Sequence, residues 1–172
     1  MSRRTTRRAA RATVGAALLG LTAGCGGSAA DDGPPTVSVQ TADQQIVLQP
    51  TQFCFGDEGG ERYDIVPPVV DVSPDTAITL RVPSEVADSG WSVQVYDDQL
   101  ATKIGEVDVG ADTEVFSEIN SSDVSPPGFY LVVVQDAGED CNGLSGAWPV
   151  GFIRAGGAIS DTTAPATPAP AG

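Results

Sequence analysis

The feature that most constrains the fold is a series of short runs in which apolar and polar residues alternate. A period of two is typical of a β-strand with one buried face, and no window of a dozen residues shows an apolar stripe with helical spacing. The run 128–135 (GFYLVVVQ) is nearly all apolar, which predicts a central strand covered on both faces. The other alternating runs lie at 37–39, 46–48, 78–82, 91–96, 107–109 and 148–152.

Turn-forming residue pairs separate these runs. Examples are Ser73-Pro74, Ser89-Gly90 and Asn142-Gly143. Between them, only residues 84–88 allow helix, and then one turn at most. About seven to nine short strands in one domain of this size predict an all-β fold, an antiparallel β-sandwich.

Two segments resemble immunoglobulin-like domains. Gly128-Phe129-Tyr130 resembles the start of their sixth strand, where a tyrosine hydroxyl bonds back to an upstream backbone group. Trp91 opens an alternating strand and resembles their buried tryptophan. Val132 stands where antibody domains place a cysteine, so the resemblance is to the wider immunoglobulin-like class. We expect Trp91, Tyr130 and Trp148 to be structural core residues; the simpler interpretation is that each is an aromatic residue packed in a β core.

The N-terminus resembles the signal of a bacterial lipoprotein. Residues 2–11 are basic, residues 12–21 are apolar but too short to span a bilayer, and small residues lead to Cys25 in the sequence LTAGC. This order resembles a lipobox, and the resemblance implies a diacylglycerol on the Cys25 sulfur and cleavage just before it. The alternative is an ordinary secretory signal that is cut elsewhere.

The expected domain organisation follows from these segments. Residues 1–24 are the signal peptide, 25–35 a polar tether, 36–156 the sandwich domain, and 157–172 a disordered Pro/Ala/Thr-rich tail. Two acyl chains anchor a protein stably, whereas one chain does not. We therefore expect an exported protein that is anchored to the outer face of the cytoplasmic membrane. The expected anchor includes a palmitate-type acyl group on the amine that cleavage exposes at Cys25.

The charge of the chain excludes one class of partner. There are 23 acidic and 9 basic residues, a net charge of −14, and five of the basic residues precede position 12. Removal of residues 1–24 takes away those five bases and no acid, which brings the net charge to −19. Binding to nucleic acid needs cations to neutralise phosphates, so no nucleic-acid partner is expected.

The three cysteines have two different expected roles, lipidation for one of them and a disulfide for the other two. With Cys25 lipidated, Cys54 and Cys141 remain, and an even number in an exported chain predicts a disulfide. The alternatives are a redox thiol or a metal-binding thiol. The chain has no histidine, no methionine after Met1 and no C-x-x-C motif, all of which disfavour a soft-metal site.

Catalytic and cofactor-binding motifs are missing from the sequence. Without histidine a Ser–His–Asp or Cys–His site is impossible, and there is no P-loop or dinucleotide fingerprint. We predict that the protein is not an enzyme and uses no cofactor. Acidic loops provide oxygen ligands, which leaves calcium as a weakly supported alternative. The candidate ligands form two clusters, Asp57, Glu58, Glu61 and Asp64 in one and Asp136, Glu139 and Asp140 in the other.

The whole arrangement resembles a family of actinobacterial envelope lipoproteins known only as a domain of unknown function. The resemblance covers residues 36–154 and rests on Cys54 and on the spacing from Val82-Pro83 to Trp91 to Tyr96. It implies a location and a fold but no activity. We predict a non-catalytic binding or scaffolding module that recognises another envelope protein; the alternative is an envelope lipoprotein that binds a small ligand or calcium.

Overall fold

The computed structural model describes residues 33–55, 59–136, 141 and 145–155, all of them within one unit, Asp32–Gly172. In these residues there are eleven β-strands, a single-turn α-helix and a short 3-10 helix. The predicted all-β fold is therefore confirmed. No helix in the described ranges is long and apolar enough to cross a membrane.

Two sheets make up the sandwich, and all their strand pairs are antiparallel except that of β5 with β11. The smaller sheet has the strand order β2-β1-β6-β9, and its strands are β1 (Val37–Gln40), β2 (Gln45–Leu48), β6 (Ala77–Arg81) and β9 (Val115–Asn120). The strands of the larger sheet are β3 (Gln52–Cys54), β4 (Gly60–Arg62), β5 (Val69–Val72), β7 (Trp91–Tyr96), β8 (Lys103–Val109), β10 (Gly128–Gln135) and β11 (Ala147–Arg154). Its order is β4-β3-β11-β10-β7-β8, and β5 pairs with the C-terminal half of β11, in parallel.

The strand order matches that of immunoglobulin-like sandwiches. The series β1-β6-β9 corresponds to their strands A, B and E, and the series β11-β10-β7-β8 corresponds to G, F, C and C′. Eleven strands exceed the seven to nine expected because four short or irregular strands, β3, β4, β5 and β9, lie outside the alternating runs. One of them, β4, is exposed throughout, and a β-bulge opposite Ile78–Leu80 disturbs the alternation of β9.

Two helical turns complete the fold. The helix α1 (Ser84–Ala87) follows Pro83, buries Val86 and Ala87, and is the single turn that the sequence allows. The 3-10 helix Ser121–Asp123 begins at Asn120, whose side chain accepts a hydrogen bond from the Ser122 amide while Asp123 accepts one from the Asn120 amide. This reciprocal capping ends β9 before the chain turns into β10.

The core lies between the sheets and consists of the inward residue of each alternating pair. Trp91 and Trp148 are fully buried there, and Phe129 stacks on Phe152 with ring centroids 5.4 Å apart. Each indole N–H finds a backbone carbonyl: Trp91 donates to Thr113 at 2.7 Å and Trp148 to Pro35 at 2.8 Å. Among the described residues, no buried side-chain nitrogen or oxygen lacks a hydrogen-bond partner, as a stable core requires.

Tyr130 is buried but lies apart from the two tryptophans. Phe129, Leu131 and Val133 belong to the core cluster and Tyr130 and Val132 do not, so the period of two puts Tyr130 on the outer face of the larger sheet. In an immunoglobulin tyrosine corner the tyrosine shares the inner face with the cysteine two residues later. Tyr130 therefore differs from the expected corner tyrosine.

Candidate functional site: a groove on the outer face of the larger sheet

Strand β10 is apolar on both of its faces. Its inner face completes the core, and its outer face carries Tyr130, Val132 and Val134, of which the first two are each only 9% exposed. A sandwich normally turns polar side chains outward. The outer face of β10 is therefore an exception that needs a cover or a partner.

Strand register extends this apolar surface to the neighbouring strands. Opposite the outer residues of β10, β11 places Gly151, Pro149 and Ala147. On the other side, β7 places Tyr96, Gln94 and Ser92, and β8 follows with Lys103, Glu106 and Asp108. The outer face thus changes from apolar over β10 and β11 to polar and then charged at β8. We call Val132, Val134, Ala147 and Pro149 the apolar strip.

A groove of about 600 Å³ lies over the apolar strip. Its floor is the strip together with Gln94 and Tyr96, and Ser145 lines it at the start of β11. One flank consists of Thr51, Gln52, Ile65 and Pro67, from β3 and the segment between β4 and β5. On the opposite flank, Leu100 projects from the hairpin that joins β7 to β8.

The first flank exists because β11 changes partners along its length. Its start pairs with β3 only at Ala147 opposite Gln52, whereas Gly151–Arg154 pair with β5. The segment 63–68 bridges this change, and its residues Ile65 and Pro67 line the groove together with Pro149. Proline has no backbone N–H to donate, so it suits a position between two partner strands.

Hydrogen bonds hold the polar side chains of the groove in place. Gln52 donates to the Ser145 carbonyl at 2.9 Å, and the Tyr96 hydroxyl donates to Gln94 Oε1 at 3.0 Å. Gln94 Nε2 in turn donates to Glu106 Oε1 at 3.0 Å. These contacts pre-organise the polar side chains of the groove, which lowers the entropy lost when a ligand binds.

Leu100 adopts a left-handed backbone conformation at the tip of the β7–β8 hairpin. Its φ is +54°, a region that a bulky side chain rarely occupies and that glycine or asparagine normally fills in turns. The Asp97 carboxylate supports the turn by accepting hydrogen bonds from the Gln99 and Ala101 amides. The chain retains a strained leucine where glycine would be easier, and unusual backbone of this kind concentrates at functional sites.

Two features give the β7–β8 hairpin its electrostatics. Backbone hydrogen bonds, chiefly from Ala101, hold the pKa of Asp97 below its ordinary value. Lys103 and Glu106 form an exposed ion pair of 2.6 Å, which raises the pKa of Lys103 and lowers that of Glu106, in each case mainly through their hydrogen bond. Beside the groove, burial and then the charge of Asp98 raise the pKa of Tyr130.

A disulfide anchors the flank formed by β3. Cys54 at the end of β3 is bonded to Cys141, with 6.0 Å between the Cα atoms and a sequence separation of 87. The predicted disulfide is confirmed. Because β3 has a single register pair with β11, the covalent link adds to the hydrogen bonds from Thr51 and Gln52 that also join this flank to the start of β11.

The other sequence-predicted site residues are only partly described. Cys25 lies outside the described residues, as do the calcium candidates Asp57, Glu58, Glu139 and Asp140. Glu61 accepts a hydrogen bond from the Tyr63 hydroxyl at 2.9 Å, and the Asp136 amide donates to the Gly90 carbonyl at 3.0 Å. The described ranges contain no group of three or more acidic or cysteine side chains placed to hold a metal ion. The calcium site stays a prediction.

Sequence reasoning did not identify the groove, although one signal for it was present. The run 128–135 does not alternate between apolar and polar residues. This indicates that the outer face of the strand is not simply exposed to solvent. The flank residues Ile65, Pro67 and Leu100 have no comparable signal, because each lies in a connection between strands.

A protein-family model matches residues 30–141 of the chain, more than half of its length. The family is described as "Protein of unknown function (DUF2771)". The match runs from before β1 to the second cysteine of the disulfide. No curated protein and no solved structure matches the chain.

Proposed function

The chain belongs to the DUF2771 family of proteins of unknown function, and from this premise we propose that it is a non-catalytic binding module of the cell envelope. The groove on the outer face of the larger sheet is its binding site, and a segment of another envelope protein is its ligand. The observation that carries this proposal is the apolar strip, which a sandwich domain has no structural reason to face outward.

Apolar exposure around the groove supports a protein partner. Val69, at the start of β5 beside the segment 63–68, is 47% exposed, and Leu100 is 36% exposed on the opposite flank. Apolar area that continues beyond a cavity is typical of protein interaction sites. A partner covering both flanks and the floor would bury both side chains.

Anchoring is the second part of the proposal. The Cys54–Cys141 disulfide accounts for two of the three cysteines and fits an oxidising compartment outside the cytoplasm. The third, Cys25, follows a signal-like sequence that ends in LTAGC. We propose that Cys25 carries the lipid and that the protein is an envelope lipoprotein of the actinobacterial type, held at the outer face of the cytoplasmic membrane.

Mass spectrometry of the intact mature protein tests the anchor. We expect a chain that begins at Cys25 and carries the added mass of a diacylglycerol, and we expect Cys25→Ser to release the protein from the membrane fraction. A chain that is cut elsewhere, or one that begins at an unmodified Cys25, would contradict the anchor and leave the groove untouched.

A small apolar ligand is the second candidate function. The groove volume of about 600 Å³ lies inside the range of about 300–1,000 Å³ that small-molecule sites occupy. The polar side chains of Gln52 on its flank and Gln94 in its floor could orient such a ligand. Calcium binding remains an alternative without support from the described residues.

Photo-cross-linking in intact cells tests the binding function. A photoreactive amino acid replaces Leu100 at the groove rim or, as the control, Val47, which is 59% exposed at the edge of the smaller sheet. We expect one discrete protein adduct from position 100 and none from position 47. An adduct of small mass at position 100 would favour the small-ligand function. Equal adducts at both positions, or no adduct at position 100, would contradict a binding groove.

A further inference from the structure

We infer that the segment bound by the groove is an amphipathic helix of a partner protein, whose apolar side packs on the strip and whose basic side chains face β8. This inference rests on the proposed function and names the chemistry of the partner. It follows from the geometry of the floor, from the charges at one margin and from the conformation of Leu100.

The hydrogen bonding of the floor excludes an added strand. Strand β10 pairs with β7 on one side and β11 on the other, and β11 pairs with β3 and β5 along its second edge. A ligand on this floor meets side chains rather than open backbone edges, so β-augmentation is not available there. From β11 to β7 the floor spans two strand spacings, about 10 Å, and a helix with its side chains is about 10–12 Å across.

The charge gradient of the outer face determines which side of the bound helix is basic. Glu106 and Asp108 stand at the β8 margin. The Lys103 ammonium pairs with Glu106 at 2.6 Å and interacts more weakly with the charge of Asp108. The described residues hold three other bases, Arg62, Arg81 and Arg154, of which Arg154 donates to the carbonyls of the loop after the 3-10 helix. An acidic helix would meet like charge at this margin, whereas a basic side chain would find Asp108.

Leu100 is the contact residue on this side of the groove. Its left-handed backbone holds a large apolar side chain at the rim, where it lines the groove while 36% exposed. Glycine would relieve the strain and remove the contact. The two effects have opposite signs, so this residue separates a binding role from a structural one.

Designed peptides test the inference in solution. Two amphipathic peptides of about 14 residues share one pattern of leucines and differ in carrying lysine or glutamate on the polar face. Each is titrated into the isotope-labelled lipid-free protein, residues 26–172, while amide shifts are followed by NMR. We expect the lysine peptide to bind about tenfold more tightly than the glutamate peptide, with shifts confined to β7, β10, β11 and the β7–β8 hairpin.

Three variants make the test specific. Leu100→Gly should weaken binding of the lysine peptide several-fold while the melting temperature rises or stays unchanged. Asp108→Asn should weaken it about threefold, the effect of one exposed ion pair. The matched control is Glu118→Gln, which removes the same charge from an exposed position on β9 of the smaller sheet and should leave binding unchanged.

The inference is overturned if the glutamate peptide binds as tightly, if shifts appear on the smaller sheet, or if Glu118→Gln weakens binding as much as Asp108→Asn. That last outcome would mean general attraction to an acidic protein. Binding of neither peptide also overturns it. In each of these cases the cross-linking from position 100 still decides separately whether the groove binds a partner at all.

Discussion

The inner and outer faces of β10 carry the same kinds of apolar residue but have different roles. Phe129, Leu131 and Val133 face the smaller sheet and are fully buried. Tyr130 and Val132 alternate with them and lie on the outer face, each 9% exposed, and Val132 forms part of the groove floor. The inner face is closed by a second sheet, whereas part of the outer face forms the floor of a groove.

The contrast shows that an apolar run does not by itself mean structural core. Burial of apolar area stabilises the folded protein in proportion to the area that is covered. A second sheet covers more of that area than two loops can. The inner face should therefore dominate stability and the outer face should dominate binding. The predictions below test this division, beginning with the largest expected effect.

Truncation of one residue on each face separates the two roles most clearly. Phe129→Ala removes a fully buried ring that stacks on Phe152 at 5.4 Å, and should cost about 3–5 kcal/mol of unfolding free energy. Val134→Ala, at the partly exposed end of the strip, should cost about 1 kcal/mol or less. Urea denaturation measures both. Similar losses for the two variants would mean that the outer face is as structural as the inner one.

Removal of the disulfide should affect the groove flank before the core. Replacing Cys54 and Cys141 by alanine opens a loop of 87 residues and should lower stability by about 2–5 kcal/mol. In hydrogen exchange, β3 and β4 should lose protection well before β10 and β11, because β3 has only one register pair with β11. Uniform loss of protection would show instead that the flank and the core unfold as one unit.

A glycine beside the groove tests how tightly the start of β11 is packed against the core. A Cβ added at Gly146 would lie 2.5 Å from the Trp148 ring and 3.0 Å from Gln135 Oε1, so Gly146→Ala should destabilise by about 1–3 kcal/mol. Gly110 is the matched control, because a Cβ there meets nothing within 4 Å. Thermal unfolding of the two variants should differ clearly. A tolerated Gly146→Ala would show that the start of β11 can shift without cost.

The smallest expected effect concerns pH and the β7–β8 hairpin. The pKa of Asp97 is lowered in the folded protein, chiefly by the hydrogen bond from the Ala101 amide. A lowered folded pKa gives stability that is present above the unfolded carboxyl pKa and is lost as pH falls through the folded pKa. NMR titration should find the Asp97 pKa below its ordinary value, with faster exchange of the Ala101 amide on acidification. In Asp97→Ala that pH dependence should disappear; if it persists, another group controls the hairpin.

Much of the fold could be predicted because its signals are local. The alternation at 91–96 and the apolar run 128–135 correspond to β7 and β10, and the one allowed helical turn is α1. The pairing of Cys54 with Cys141 followed from the cysteine count and is present. Signals failed where strands are polar, short or bulged. They also failed at β5, whose parallel pairing with β11 depends on a contact about 80 residues away.

The groove was out of reach for a different reason. Its lining comes from five separated parts of the chain, and Ile65, Pro67 and Leu100 acquire their roles only through position. The outward face of Tyr130 was equally hidden, because a continuous apolar run carries no mark that distinguishes inside from outside. A shift of one residue in register would have exchanged its two faces.

By itself, the sequence determined the all-β class, the positions of the main strands, the strongly acidic surface and the pair of cysteines, because each depends on composition or on neighbours within a few residues. Only the tertiary structure decided which face of β10 is sealed, where β11 changes partners and which loops flank the apolar strip. Those outcomes depend on register and on contacts between distant segments, which local patterns do not encode.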